Sequence, residues 1–303
     1  MNERLESREG RPVLRIERRL HHPIETVWEA ITWPDQLSSW YPFRVVEMEF
    51  RPGGTIMFDD GEGTQMTATI QEIEPPRLFS FSEHAPDSMP RESDDLVQIE
   101  LVGDDDSCLL IFTHVFDDRP AAAMYATGWS ASLEGLNLLL KGQPIDVQVD
   151  FVNSHEANVA KFGLDEGSLQ QDQHGWTIQF ERQLVLPVER VWSELLSDAN
   201  SVQVAIGDSP PDPFLVPHCG QVEMRKFDPP RLLSCSCEVA GGSTTTVRWE
   251  LSQGTGPGAR LLVTETGLPH LSEHVDGFMT EWASRIERLA RQVAKSAQEE
   301  PAY

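Results

Sequence analysis

ERRLHHPIETVW (17–28) and ERQLVLPVERVW (181–192) are two readings of one pattern. Glu17, Arg18, Leu20, Pro23, Glu25, Val27 and Trp28 return as Glu181, Arg182, Leu184, Pro187, Glu189, Val191 and Trp192, each 164 residues later. Further on, EPPRLFSFS (74–82) returns as DPPRLLSCS (228–236) after 154 residues. Tyr125, Trp129, Leu133, Leu136 and Leu140 return as Phe278, Trp282, Ile286, Leu289 and Val293 after 153. Three blocks recurring in the same order indicate a tandem duplication of one structural module.

The repeated blocks also indicate what that module is. VLRIERRL (13–20) alternates and carries β-branched residues, so it reads as a strand. Pro23 stands where proline is tolerated, at a helix start. Ile24, Val27, Trp28 and Ile31 then follow the spacing of a short amphipathic helix. VVEMEF (45–50) and TIMFDD (55–60) flank the turn Pro52-Gly53-Gly54, and TATIQEI (67–73) runs to Pro75-Pro76. RLFSFSE (77–83), LVQIELV (96–102) and CLLIFTHVF (108–116) continue the strands. A long helix over about 121–141 closes the copy, with Gly142 as its stop. A sheet with an apolar face must bury it, and the terminal helix is the large element at hand. The expected fold is α+β: two tandem units, each a curved antiparallel sheet gripping a long C-terminal helix. The first spans 13–142 and the second 176–297. Between them, 143–175 reads as a short helix (VDFVNSHEANVAKFG) and a polar linker (LDEGSLQQDQHG).

Composition narrows the function. The chain has 303 residues and a formal net charge of −25, with 12 Lys+Arg against 28 Asp+Glu in 1–150 and 12 against 21 in 151–303. Both halves repel polyphosphates, which excludes nucleic acid as a partner. The segment MNERLESREGRP lacks the apolar core of a signal peptide, and no stretch has the ~18 apolar residues of a membrane span. The four cysteines, Cys108, Cys219, Cys235 and Cys237, have no CxxC spacing. They read as reduced thiols of a cytoplasmic protein, with Cys235 and Cys237 as small core residues rather than metal ligands. No phosphate loop, HExxH, GxSxG or zinc-ligand spacing occurs, and GTGPG (254–258) is a hairpin loop, so neither cofactor nor metal is expected.

The strand–Pro–helix start, WPDQLSSWYP (33–42), the Pro-Gly-Gly hairpin, EPPRLFSF and THVF…GWSASLEGLNLLLKG (113–142) together resemble the START-like, or SRPBCC, superfamily. They are most similar to the branch related to the activator of Hsp90 ATPase homologue (AHSA1-like). The resemblance implies a helix-grip fold with a deep hydrophobic cavity under the long helix. It also implies a choice of roles: binding of lipids or other apolar molecules, cyclase-type reactions, and stimulation of Hsp90. Fold alone does not choose among them. The second copy departs from the pattern, since ten residues are lost between Trp192 and Pro229 and SVQVAIGDSPPDPFLVPHCG (201–220) fills the gap.

In the first copy the expected lining starts from Phe79 and Phe81, on one strand face, with Trp129 and Leu133 opposite on the helix. Trp40 and Tyr41 stand at the expected cavity mouth, and Phe58, Ile111 and Thr113 complete the set. Each aromatic could serve equally as plain core. His84 and His114 have the chemistry of acid–base groups, but spacing assigns neither a partner carboxylate, so no catalytic residue is named. Setting CLLIFTHVF against RLLVTETGL pairs Thr113 with Glu265, a strand-end glutamate expected to reach solvent. CLLIFTHVF is apolar on both faces, so its outer face should need a cover from 146–165 or the second domain. The function expected is binding of an apolar small molecule, lipid-like or polyketide/aromatic. A cyclase- or hydrolase-type enzyme and a chaperone-associated protein are the alternatives, and a homodimer or chaperone partner stays open.

Overall fold

Alternation of inward apolar and outward polar residues generates a sheet in each half of the chain. The computed structural model describes residues 2–61, 63–85, 93–104, 106–196, 205–239, 241–256 and 258–299. Residues 201–204 of the Pro-rich stretch and Pro257 of GTGPG lie outside them. The chain divides into two units, Met1–Asp150 and Phe151–Tyr303.

Unit 1 contains β1 (Asn2–Arg8), β2 (Arg11–Leu20), β3 (Arg44–Met48), β4 (Thr55–Asp59), β5 (Gln65–Glu74), β6 (Leu78–His84), β7 (Asp95–Asp104) and β8 (Ser107–Val115). They form one antiparallel sheet in the order β1-β2-β8-β7-β6-β5-β4-β3. Helices α1 (Ile24–Thr32) and α2 (Pro34–Trp40) follow β2, and α3 (Ala122–Leu140) closes the unit. Gly142, at a φ of 64°, adopts the left-handed conformation that ends α3. Leu14, Ile16, Phe79, Phe81, Val97, Ile99, Leu110 and Phe112 point to the α3 side and are fully buried.

Unit 2 contains α4 (Phe151–Phe162), β9 (Ser168–Gln171), β10 (Trp176–Gln183), α5 (Val188–Leu196), β11 (Val222–Asp228), β12 (Leu232–Val239), β13 (Ser243–Gln253), β14 (Ala259–Gly267) and α6 (Val275–Glu299). Its sheet runs β11-β12-β13-β14-β10-β9. That is the order β5-β6-β7-β8-β2-β1 of unit 1, so the two sheets have one topology. The β3–β4 hairpin has no counterpart among the described residues of unit 2, where the sequence is ten residues shorter. Both units are helix-grip folds. β9 falls in the stretch that reads as linker, because its four residues are all exposed and an edge strand needs no apolar alternation. β1 escapes notice for the same reason: NERLESR pairs with β2 along its whole length while staying largely in solvent.

The strand ladders fix the correspondence between units, and they correct one alignment. Glu17 lies opposite Ile111, and its equivalent Glu181 lies opposite Leu262. Ile111 therefore corresponds to Leu262, and Glu265 corresponds to His114 rather than to Thr113. A slip of one residue exchanges the two faces of a strand. Accordingly Phe112 and His114 face α3, while Ile111 and Thr113 face the opposite side and do not line the space under the helix. On that outer side Ile111 is flanked by Glu17 and Glu100, and Thr113 by Arg15 and Gln98. The long polar neighbours lay their apolar stems over the strand, and Ile111 is 8% exposed and Thr113 5%.

This assignment is testable by charge. Ile111→Lys would place its ammonium between Glu17 and Glu100 and should change stability by less than about 1.5 kcal/mol, whereas Phe112→Lys buries an unpaired charge and should prevent unit 1 from folding. Denaturant melts of the two variants distinguish the faces.

Candidate functional site

A buried indole N–H gains from an acceptor, and in both units one such bond ties the long helix to the sheet. In unit 1 Trp129, midway along α3, donates from Nε1 to His114 Nδ1 at 3.1 Å. His114 Nε2 in turn lies 3.1 Å from Asp95 Oδ2 at the start of β7, and Tyr125 Oη donates to the same oxygen at 3.4 Å. His114 and Asp95 are each 1% exposed. Because Nδ1 accepts the indole proton, the imidazole carries its own proton on Nε2 and donates it to Asp95.

Beside this network lies an aromatic cluster. Tyr41, just past the end of α2, sits between sheet and helix. Its ring stacks on Phe58 at 5.2 Å and 18°, meets Phe81 edge-on at 5.9 Å, and lies 5.3 Å from Trp129. Its hydroxyl donates to Glu83 Oε1 at 2.6 Å. Phe79 is 5.3 Å from Phe81, and Phe112 is 4.5 Å from Trp129. Of the residues expected to line a cavity, the structure thus brings together Tyr41, Phe58, Phe79, Phe81 and Trp129. Leu133 is buried one turn further along α3. Trp40 belongs to α2 rather than to a loop and donates Nε1 to the Ala30 carbonyl at 2.9 Å, which locks α1 to α2. These rings are fully or nearly fully buried and fill the space under α3. Two concavities lie elsewhere: a groove of about 280 Å³ by Arg77, Gln98 and Glu100, and one of about 520 Å³ by β9 and β10.

Unit 2 makes the same helix tie with different chemistry. Trp282 of α6 donates Nε1 to Glu265 Oε2 at 2.6 Å. Thr245, which stands where Asp95 stands in unit 1, donates to Glu265 Oε1 at 2.6 Å. Glu265 is 0% exposed, so the expectation that it reaches solvent is overturned: on the inward face its cost is met by three donors. The third is His218, whose Nε2 lies 3.0 Å from Glu265 and whose Nδ1 lies 2.7 Å from Glu281 of α6. Its ring stacks on Phe278 at 4.1 Å. Burial would lower the His218 pKa, but hydrogen bonds and charge from Glu265, then from Glu281, outweigh it and hold the imidazole above its usual value.

Cys219 and Cys237 form a disulfide, contrary to the expectation of four reduced thiols. Eighteen residues separate them, and only the folding of the 205–221 segment onto β12 brings them together. Cys108 and Cys235 remain free and buried. Burial pushes their thiols up, to about 11 for Cys108 and about 12 for Cys235.

Two residue groups have metal-like composition: Glu83, Asp95 and His114, and His218, Cys219 and Cys237, with donor atoms within 4.8 Å of one another in each. Neither fits a metal. A histidine ligand offers a lone pair, whereas His114 Nε2 carries a proton and His218 gives both ring nitrogens to carboxylates. His84 bridges Thr69 and Asp94 at the surface.

Residues 21–141 match the model of the family described as Activator of Hsp90 ATPase homolog 1-like protein. That match lies wholly within unit 1. Among solved structures, CalU16 from Micromonospora echinospora shares 20% identity, with 54% of this chain and 94% of that one covered at a TM-score of 0.43. DynU16, from the dynemicin biosynthetic locus, shares 19% identity over 93% of this chain and 98% of that one, at a TM-score of 0.42. EF2215 from Enterococcus faecalis shares 16%, with 52% and 89% covered, at 0.43. No curated protein matches. No helix of the described residues is long and apolar enough to cross a membrane.

The His218 arrangement fixes a sign. A histidine whose folded pKa is raised adds stability that is fully present below about 6.5, the free value, and is lost as pH rises through the folded value. Wild type should therefore melt above a His218→Gln variant at pH 6, with the gap narrowing towards pH 9. Thermal melts across that range check it, and a gap that widens with pH would contradict the ion-pair assignment.

Proposed function

We propose that unit 1 binds an apolar small molecule, lipid-like or aromatic, between its sheet and α3, and that the chain is a binder rather than an enzyme. The observation that carries this reading is the place of Tyr41. Its ring is supplied by the residue after a short helix, yet it occupies the centre of an aromatic slot formed by Phe58, Phe81 and Trp129, with its hydroxyl on Glu83. A slot filled by a residue just past a helix end is one that a ligand can take over by displacing the ring. Phe79 and Leu133 extend the apolar wall behind it.

The closed arrangement would lower the apparent affinity by the fraction of molecules that are open. Returning a buried Tyr ring to water costs roughly 1.5–3 kcal/mol by analogy with other large side chains, so a variant without that ring should bind more tightly.

The enzyme alternative draws on the buried His114–Asp95 pair. Against it stands the commitment of both ring nitrogens, to Trp129 and to Asp95, which leaves no lone pair for a substrate. Unit 2 keeps the tie to tryptophan but has Glu265 in place of His114, so what the two positions share is an acceptor for the indole N–H. The chaperone-associated alternative draws only on the description of the matched family.

Tyr41→Ala in the full chain should bind an apolar fluorophore about ten- to a hundredfold more tightly, at one molecule per chain, since 1.4 kcal/mol is a factor of ten. Phe81→Ala added to it should weaken binding again. Fluorescence titration corrected for the unfolded fraction decides. Unchanged affinity in Tyr41→Ala would mean that the cluster is core and nothing more.

A further inference from the structure

We propose that Cys219 and Cys237 are a thiol–disulfide exchange site for an external dithiol, and that their reduction releases the loop that holds His218 against the buried Glu265 of unit 2.

The strand ladders give the first argument. Glu83 lies opposite Asp95, and Cys237 lies opposite Thr245, so Cys237 occupies the position of Glu83. In unit 1 the segment after the first helices is tied to that position by the Tyr41–Glu83 hydrogen bond. In unit 2 the segment in the same part of the module is tied there by the Cys219–Cys237 bond. One closure opens by thermal motion. The other opens by a two-electron reaction.

Access and charge give the second. Cys237 is 0% exposed. Cys219 is half-buried, between the exposed Pro217 and Gly220 on either side of the His218–Cys219 pair. A nucleophile from solvent therefore meets the Cys219 sulfur, and Cys237 is the leaving group. A His218 ring nitrogen lies within 4.8 Å of both sulfurs. His218 lies between Glu265 on β14 and Glu281 on α6, the carboxylates that face it, and their hydrogen bonds and charge outweigh burial and raise its pKa. A positive ring at that distance favours the departing thiolate. Cys108 and Cys235 are buried and keep their thiols protonated, so exchange is confined to the one pair.

The chemistry balances without further reagents. A thiolate of the dithiol attacks Cys219 Sγ, a mixed disulfide forms, and Cys237 leaves as thiolate and takes up the proton that the attacking thiol gave to solvent. The second thiol of the dithiol then displaces Cys219, which is protonated in turn. The dithiol is oxidised to a disulfide, and the protein disulfide is reduced by two electrons and two protons to two thiols. Once Cys219 is free, the backbone that carries His218 loses its covalent tie to β12. Glu265 is then left buried with only Trp282 and Thr245 to hold it, which favours opening at the α6 face.

The test uses the full chain and dithiothreitol. In native buffer, dithiothreitol followed by iodoacetamide should label Cys219 and Cys237 and leave Cys108 and Cys235 unmodified, as read by peptide mass spectrometry. Amide exchange over 215–221 should become at least tenfold faster after reduction and return on reoxidation. His218→Gln should slow the reduction at least threefold at pH 7. A Cys219→Ser/Cys237→Ser double variant should match the reduced protein in exchange without any reductant. Should that variant not fold, the wild-type exchange data still decide. A disulfide that resists dithiothreitol until denaturant is added, or unchanged exchange over 215–221 in the reduced chain, would overturn the proposal and leave a structural staple. An unchanged reduction rate in His218→Gln would overturn the role given to the imidazole.

Discussion

One hydrogen bond organises each unit: the indole N–H of a tryptophan midway along the terminal helix, donated to an acceptor on the strand that crosses beneath it. The helix must cover the apolar face of the sheet, and apolar contact alone would let it slide or rotate. Pairing this buried N–H avoids a cost of about 1–3 kcal/mol and so favours the seating in which the tryptophan finds its partner, although the buried Trp176, Trp192 and Trp249 of unit 2 keep theirs unpaired. In unit 1 that partner is His114, oriented by Asp95. In unit 2 it is Glu265, oriented by Thr245 and His218. Trp129 and Trp282 are equivalent positions in both sequence and structure, whereas the acceptors differ in residue type and in charge.

That difference spreads outward. A neutral acceptor in unit 1 allows an aromatic surround, and Tyr41, Phe58, Phe79, Phe81 and Phe112 supply it. A carboxylate with 0% exposure in unit 2 calls for a cation. His218 provides it, and the segment that delivers His218 is pinned by the neighbouring disulfide. Where unit 1 has Phe81 and Glu83 on β6, unit 2 has Cys235 and Cys237 on β12. The second unit has therefore exchanged ring packing and a phenol–carboxylate bond for small residues, a charge pair and a covalent tie.

Much of this was legible from residue order. The period-2 runs give β2 and β5 to β8, the helix spacing gives α1 and α3, and the repeat gives the equivalence of Trp129 with Trp282. Phe79, Phe81, Tyr41, Phe58 and Trp129 do converge. The misplacement on β8 has one physical root, which is that side-chain direction in a strand turns on a single residue of register. CLLIFTHVF has apolar residues at both parities, so it could not report its own inward face, and Ile111 and Thr113 were set inward in place of Phe112 and His114. The partner of His114 was hidden because Asp95 comes from the far end of an adjacent strand. The acidic pair Asp94-Asp95 opening the alternating LVQIELV was the available signal. β1, β9 and the disulfide were hidden for want of a pattern, since exposed edge strands carry no alternation and two cysteines eighteen residues apart have no characteristic spacing.

The bond between helix tryptophan and strand acceptor is open to a double-mutant cycle. Trp129→Phe and His114→Phe, singly and together, isolate the coupling in unit 1, and Trp282→Phe with Glu265→Gln does so in unit 2. Chemical denaturation gives the stabilities. A coupling of about 1 kcal/mol or more is expected in unit 1, and a larger one in unit 2, where the acceptor is a carboxylate. Couplings indistinguishable from zero in both units would show that apolar packing alone seats the helix and would contradict the grip described above.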